Sequence, residues 1–166
     1  ITTGIDGLFE NYNFKSSAFG TYDENQQQSA YIQALYPFTD KFSGIIGVRY
    51  AGQQNDLTHL YSNESSDNDA TVSTLGLTYQ INPRSVIYLR RDGNYRFPKA
   101  DENAFTPADI FGLKTQTGVS YETGIKIQEQ RWAFNFNVYQ LDLNNEIAFD
   151  PTKTPTQPFG ANRNLD

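Results

Sequence analysis

Several features that would assign a protein to a common class are missing from these 166 residues. The chain has no cysteine, which excludes a disulfide scaffold and a thiolate metal site. Its single histidine, His59, excludes a histidine-rich metal site. No run of about 18 apolar residues is present, which excludes a protein that crosses a membrane with helices. A secretory signal and methionine are also missing, so we expect a processed product or an excised piece of a longer protein.

Catalytic motifs are absent as well. The sequence contains no G-x-S-x-G, no H-E-x-x-H and no phosphate-binding loop, so we expect no enzyme, no catalytic residue, no cofactor and no metal. The pair Asp101 and Glu102 lies in a polar stretch and is expected to be solvated. The acidic segment at residues 63–69 (NESSDND) offers oxygen ligands that calcium prefers, but it lacks the glycine and final glutamate of an EF-hand loop. We expect a solvated loop there too.

The composition favours a β protein. The hydrophobic fraction is 37%, below the usual range of about 45–50%, although the chain contains 11 Tyr and 12 Phe. Aromatic residues are favoured in strands and at the interfaces of membrane barrels, whereas a disordered chain contains few of them. The net charge of −6 and the pI of about 4.7 predict that the chain does not bind nucleic acid, which requires a basic surface.

Alternation of apolar and polar residues predicts seven strands, with one helical turn at residues 106–111. The clearest strand is residues 131–142, in which aromatic side chains on one face alternate with asparagines on the other. Period two over about ten residues is the length that a tilted strand needs to cross a bilayer. The predicted strands are residues 1–9, 29–38, 42–50, 71–81, 85–91, 118–128 and 131–142.

Short and long connections alternate between these strands. Tight turns are predicted at residues 39–41, 82–84 and 129–130, and long polar loops at residues 13–28, 51–70, 92–118 and after residue 143. Because antiparallel strands place every second connection at the same end, all short turns fall on one side of the sheet. This asymmetry is typical of bacterial outer-membrane barrels, with short periplasmic turns and long extracellular loops. We therefore predict an all-β fold of antiparallel, up-and-down transmembrane β-barrel strands, in which about seven strands form part of a larger barrel wall.

Polar residues in the middle of strands indicate that one face of the sheet is wet. Glu122, Lys126, Asn135 and Asn137 share the side that we expect to line the lumen, because a dry core would leave them poorly solvated. Aromatic residues recur beside the short turns, as in an interfacial belt. Aromatic residues also flank hairpins in soluble β-sandwiches, so this feature by itself leaves both folds open.

Ligand-binding residues are predicted near the long loops. Residues 90–97 (RRDGNYRF) combine three arginines with two aromatic residues. Arginine binds oxyanions and aromatic rings stack on planar ligands, so an anionic, ring-bearing ligand is expected, with a loop anchored by arginine pairs as the alternative. Arg49, on the lumen side, either lines a binding cavity or pairs with a carboxylate. The predicted ligand-binding residues are Arg49, Arg90, Arg91, Tyr95, Arg96 and Phe97.

Four segments, in this order, resemble the barrel of TonB-dependent outer-membrane receptors of the ferric siderophore type. They are SAYIQALYPFTDKFSGIIGVRY (residues 29–50), SVIYLRRDGNYRFP (85–98), LKTQTGVSYETGIK (113–126) and WAFNFNVYQLDLNNEIAFDP (132–151). The closing NRNLD resembles the start of the following strand. The resemblance covers nearly the whole chain. It implies that residues 1–166 are a partial C-terminal β-barrel domain, without a plug domain.

The resemblance implies a receptor in the bacterial outer membrane that takes up a ferric siderophore or a similar bulky nutrient. Binding through extracellular loops would be followed by transport that the TonB complex energises through the missing plug domain. The barrel would contact outer-membrane lipid, and gated translocation would replace catalysis. Three alternatives are a haem receptor using His59 or a cobalamin receptor of the same family, a passive porin-type or adhesin barrel, and a soluble β-sandwich binding module.

Overall fold

Strands make up most of the computed structural model, which describes residues 1–15, 20–59, 63–104, 106, 112–153 and 160–165. Among these residues no helix is long and apolar enough to cross a membrane. The elements are β1 (Thr2–Lys15), β2 (Gly20–Pro37), β3 (Phe42–His59), β4 (Asn63–Asn82), β5 (Ser85–Arg96), α1 (Ala100–Ala104), β6 (Gln116–Gln128), β7 (Ala133–Asn144), β8 (Glu146–Asp150) and β9 (Ala161–Leu165).

Strands β1 to β7 form one antiparallel sheet in which each strand pairs with its neighbours along the chain. Strands β1 and β7 are the two edges, so the described strands form an open arc. This confirms the predicted up-and-down order and the predicted seven strands. Among the described residues the other sheet is only the two-stranded β8–β9 hairpin, which is too small to be the second layer of a β-sandwich. The hairpin of β8 and β9 forms a separate sheet, so residues 162–165 of the closing segment pair with β8 and do not extend the seven-stranded sheet.

The short turns lie where the sequence predicts them, and side chains fix two of them. The hydroxyl of Thr39 accepts hydrogen bonds from the backbone N–H groups of Lys41 and Phe42, at 3.2 and 3.0 Å. The side-chain oxygen of Asn82 accepts one from the N–H of Arg84 at 2.9 Å. Such local side-chain hydrogen bonds are the reason why Thr and Asn are favoured in turns. This edge of the sheet is called the short-turn end below.

The predicted long loops at residues 13–28 and 51–70 are wrong, because most of these residues continue the strands. Strands β2 and β3 each have 18 residues and β4 has 20. At a rise of about 3.3 Å per residue, 18 residues span about 60 Å, well beyond the roughly 10 residues that cross a bilayer. Polar residues have a low intrinsic strand preference, but pairing with a neighbouring strand overrides it. The acidic segment 63–69, predicted as a solvated loop, is likewise the start of β4.

The sheet has two chemically different faces. On the outer face, apolar side chains from neighbouring strands lie side by side. Ile46 pairs with both Ala34 and Leu75, and the side chains of Ile46 and Leu75 are 60% and 46% exposed. The opposite, inner face carries Ser29, Arg49 and other polar residues. A large apolar surface of this kind suits contact with lipid and is unusual on a soluble monomer. The predicted alternation of apolar and lumen-facing residues is confirmed.

Residues 97–104, called the cover segment, fold over the inner face of β1, β2 and β3 at the end away from the short turns. The carbonyl oxygen of Pro98 accepts hydrogen bonds from the side-chain amides of Asn25 and Gln53, at 3.3 and 2.6 Å. Phe97 is buried against Ala51 and Ala70. Helix α1 lies within this segment. The helical turn predicted at residues 106–111 falls outside the described residues except for Thr106, which follows α1 as a bend.

Candidate functional site

Arg49 forms the centre of a charged and aromatic cluster on the inner face. Its Nη1 donates to Oδ2 of Asp6 at 2.9 Å and to Oγ of Ser29 at 3.0 Å. Its guanidinium lies 4.7 Å from the ring centre of Tyr31. The strand register creates this group, because Tyr31 pairs with Arg49 and Ser29 pairs with Asp6. Arg49 therefore pairs with a carboxylate, although on β1 and not on a strand next to β3, and it lines two cavities. Its role in ligand binding stays a prediction.

Tyr95 and Phe97 complete this cluster from the end of β5. Their ring centres are 5.1 Å apart, and Tyr95 packs against the small core that contains Phe97. Strand β5 passes very close to β4 at Gly93, where an added Cβ would lie 3.0 Å from Cβ of Val72. A residue without a side chain is therefore needed there to bring Tyr95 over the inner face.

Two cavities flank Arg49 and Tyr95. One has a volume of about 210 Å³ and is also lined by Gln27, Gln28 and Phe97. The other has a volume of about 550 Å³ and is lined by polar and aromatic residues that include Tyr31. A cationic group between aromatic rings, with cavities on both sides, can bind an acidic ligand that carries rings or apolar groups.

Arg96 lies beside this cluster but is occupied by structural contacts. Its Nη1 donates to both carboxylate oxygens of Glu102, at 2.9 and 2.7 Å, and its Nη2 donates to the carbonyl oxygen of Ile147 at 3.2 Å. The same carboxylate accepts a hydrogen bond from the N–H of Lys99 at 2.9 Å. Asn162 donates to the carbonyl oxygen of Glu102 at 2.9 Å. Arg96 thus connects the cover segment to the β8–β9 hairpin.

The other two predicted arginines are not brought into the cluster. Nε of Arg90 lies 2.5 Å from Oδ2 of Asp92 on its own strand. Arg91 points to the opposite, outer face and donates to Oγ of Ser73 at 2.9 Å. The structure thus groups Arg49, Tyr95 and Phe97, places Arg96 next to them in a separate network, and leaves Arg90 and Arg91 apart.

Sequence reasoning missed the partners of Arg49 and a second polar group beneath the cover segment. In this group, Asp23 and Asn55 are fully buried on β2 and β3. Burial raises the pKa of Asp23 to about 7; the nearby Asn55 opposes the shift, and the charges of Glu10, Asp56 and Asp101 add to it. The Asp23 oxygens nevertheless make no hydrogen bond of ordinary geometry. The only sequence signal for Asp23 and Asn55 was the alternation of inner-face and outer-face positions along β2 and β3, which is hard to recognise where both faces are polar.

Comparison with known proteins gives a family and three similar structures. The family model for the TonB-dependent receptor-like β-barrel matches residues 2–165. No similar sequence was found among curated proteins. The alcaligin outer-membrane receptor FauA from Bordetella pertussis has a TM-score of 0.71 and 17% identity over 98% of this chain. The ferric yersiniabactin uptake receptor FyuA from Yersinia pestis has a TM-score of 0.64 and 15% identity over 87%.

The third structure is the ferric-catecholate import receptor Fiu from E. coli K12 in its closed form, with a TM-score of 0.67 and 13% identity over 84% of this chain. At these identities the three structures support the fold alone. The chain spans 29%, 25% and 24% of the lengths of FauA, FyuA and Fiu. The arc of seven strands thus corresponds to part of an outer-membrane barrel wall. On the family match over residues 2–165, the chain belongs to the TonB-dependent receptors, as part of their β-barrel.

Proposed function

We propose that this chain is part of a receptor that imports a ferric siderophore across the bacterial outer membrane. The observation that carries the proposal is the Arg49 cluster, in which a cation held against Tyr31 lines two cavities on the inner face. The three similar structures are receptors whose names include an iron–siderophore complex or a siderophore, and this supports the cargo class.

The chemistry of the cluster fits such a cargo. Arg49 is half-buried and keeps its charge at any physiological pH, so it can attract an acidic ligand from the water-filled side of the wall. The rings of Tyr95 and Phe97 offer apolar contact next to this charge. We assign binding of the cargo to Arg49, Tyr95 and Phe97, and a supporting role to Arg96. Arg90 and Arg91 remain predictions without a common site.

Transport would depend on parts of the receptor beyond this chain. We propose that the TonB complex energises import through a plug domain, while the strands described here form the wall against which the cargo binds and contact outer-membrane lipid. The receptor would thus bind and translocate without catalysis. The haem alternative depends on His59, whose side chain lies outside the described residues. No other observation favours haem, cobalamin or a passive porin.

Binding of a panel of ferric siderophores to the purified receptor that contains this chain tests the proposal. The panel should include catecholate, hydroxamate and phenolate types, with haem and cobalamin as competitors. We expect one siderophore class to bind saturably. Arg49→Ala should weaken its binding by about 10- to 100-fold, because a hydrogen bond to a charged group contributes about 1.5–3 kcal/mol.

Arg84→Ala is the matched control, because Arg84 also forms a carboxylate pair, with Glu129 at 2.6 Å, but at the short-turn end. The Arg84→Ala receptor should bind the siderophore with the affinity of the wild type. Binding of haem or cobalamin in place of every siderophore would contradict the cargo class. Equal binding by the Arg49→Ala and Arg84→Ala variants would contradict the assigned site and leave the cargo class standing. Uptake that persists in cells without TonB would contradict the energy source.

A further inference from the structure

Four side chains, three on the inner face of the sheet and one in the cover segment, contain buried polar atoms without hydrogen-bond partners. They are both carboxylate oxygens of Asp23, both amide atoms of Asn55 and of Asn103, and the hydroxyl oxygen of Ser66. Asp23, Asn55 and Asn103 are fully buried. Buried polar groups are nearly always paired, so four such residues in one region require an explanation.

The register of the sheet brings three of them to one place on the inner face. Asn55 pairs directly with Ser66 on β4 and with Asn25 on β2. Asp23 lies two residues from Asn25 on the same face of β2, and is therefore diagonal to Asn55. Diagonal neighbours in an antiparallel sheet have Cα atoms about 7–8 Å apart, within reach of a group bound between them.

The cover segment contributes the fourth residue, Asn103. The carbonyl of Pro98 is held above β2 and β3 by Asn25 and Gln53. Helix α1 follows two residues later, and Ala100 and Asn103, one turn apart, are both fully buried. Helix α1 contacts β2, β1 and β3, so we place its buried side, which carries Asn103, toward the inner face of the sheet.

The electrostatic surroundings of this group are acidic. The carboxylates of Glu10, Asp56 and Asp101 all act on Asp23 and disfavour its negative charge. A bound water would satisfy hydrogen bonds but would leave this charge uncompensated. A proton on Asp23 would remove the charge and would let the carboxyl pair with Asn55, whose side chain already acts on it, but would leave Asn103 and Ser66 unpartnered. A cation balances the charge and takes the oxygens of all four side chains as ligands, because carboxylate, amide and hydroxyl oxygens all bind hard metal ions. The amide nitrogens of Asn55 and Asn103 are donors and would point away from it.

We propose that Asp23, Asn55, Ser66 and Asn103 bind a hard cation, with Ca²⁺ as the best-matched ion, and that this ion fastens the cover segment to the barrel wall. Together they offer five side-chain oxygens. Ca²⁺ takes about 6–8 oxygen ligands, so backbone carbonyls or water would complete the shell. Only one of the four residues is acidic, and among the described residues no group of three His, Cys, Asp or Glu is placed to hold a metal. The site therefore differs in kind from a surface cluster of carboxylates.

The test measures Ca²⁺ binding and hydrogen exchange of residues 97–104 in the whole receptor, purified in detergent and stripped with a chelator. In the wild type, adding Ca²⁺ should slow amide exchange in the cover segment at least about tenfold, which is a change of about 1.4 kcal/mol in its opening. Asp23→Asn keeps the size of the side chain and removes its charge, and this variant should lose the response and one saturable calorimetric binding event.

Asp67→Asn is the matched control, because it removes the same charge from an exposed position next to Ser66. This variant should respond to Ca²⁺ as the wild type does. If Asp23→Asn fails to fold, Asn103→Ala replaces it as the test variant, because Asn103 lies outside the sheet. Asn103→Ala should also abolish the effect of Ca²⁺ on amide exchange in the cover segment. An unchanged response in the folded variant, or a wild-type cover segment insensitive to Ca²⁺, overturns the proposal. Protection of the cover segment by mild acid alone, without Ca²⁺, would show that a proton neutralises Asp23 and would equally overturn it.

Discussion

The contact between Arg96 and Glu102 should determine how firmly the cover segment is held. Nη1 of Arg96 donates to both carboxylate oxygens of Glu102, and the two side chains are 34% and 20% exposed. Exposed ion pairs contribute about 0–1 kcal/mol, and breaking buried ones costs about 3–5 kcal/mol. For intermediate burial and two charged hydrogen bonds we expect about 2 kcal/mol, which corresponds to a change of about 30-fold in local opening.

Hydrogen exchange of residues 97–104 in Arg96→Ala measures this directly. Exchange should increase by about 30-fold there, and also in the β8–β9 hairpin, because Arg96 holds the carbonyl of Ile147 as well. Arg96→Lys should give an intermediate result, since one ammonium group can pair with Glu102 but cannot also hold the carbonyl oxygen of Ile147 as Nη2 does. Arg84→Ala, which breaks the pair at the short-turn end, should leave the exchange of residues 97–104 unchanged.

A double-mutant cycle with Glu102→Ala separates this pair from other effects of each substitution. If the pair accounts for the effect, residues 97–104 of the double variant should exchange at most a few fold faster than those of Arg96→Ala. Strict additivity of the two single effects would refute the reasoning, because residues that act through one shared contact cannot lose it twice.

Two further predictions concern the wall and the hairpin. Gly124→Ala should destabilise the receptor by about 1–3 kcal/mol, because an added Cβ would lie 2.6 Å from the carbonyl oxygen of Phe136. The heat-induced shift in gel mobility should then occur at a lower temperature. Gly52→Ala is the control and should behave as wild type, because nothing lies within 4 Å of its added Cβ. Hydrogen bonds from Thr152 and the charge of Arg163 lower the pKa of Asp150, so its stabilising effect is present above the ordinary aspartate pKa of about 3.9 and is lost as the pH falls through the lowered value. Exchange in the β8–β9 hairpin should therefore rise below about pH 4, and Asp150→Asn should remove this dependence.

Period-two alternation predicts the strands correctly where one face of the strand is apolar and the other face is small or polar. Leu75, Leu77 and Tyr79 alternate with small or polar residues, and all three lie on the outer face as expected. The pattern is local and can be recognised from the sequence, because lipid on one side and water on the other impose it on each strand separately.

The same signal fails where both faces of a strand are polar. Residues 24–28 (ENQQQ) have no apolar face and little strand preference, yet they pair with residues 52–56 in unbroken register. Their extended form depends on a neighbouring strand that supplies backbone hydrogen bonds, and on the cover segment that buries Asn25 and Gln53. Both causes are distant along the chain, so no local pattern could indicate them.

The arginines illustrate why residue type was a poor guide to the site. Four arginines were predicted to bind ligand from their charge and position near loops. Arg91 faces outward, and Arg96 lines a cavity but donates to three acceptors, two on Glu102 and one on Ile147. Arg49 differs because Asp6 and Ser29 accept from its Nη1 and Tyr95 also interacts with it, while its face lies over Tyr31 and it lines two cavities.

A cation held in this way on rigid strands is already oriented before the ligand arrives. Because Arg49 is already oriented, little of its side-chain freedom remains to be lost on binding. Substitution of Arg49 should therefore change the affinity for the cargo far more than the stability of the barrel. Arg96 should behave in the opposite way, with a large effect on the cover segment and a smaller one on affinity. Measuring both properties for both variants distinguishes a binding arginine from a structural one more surely than proximity to a loop.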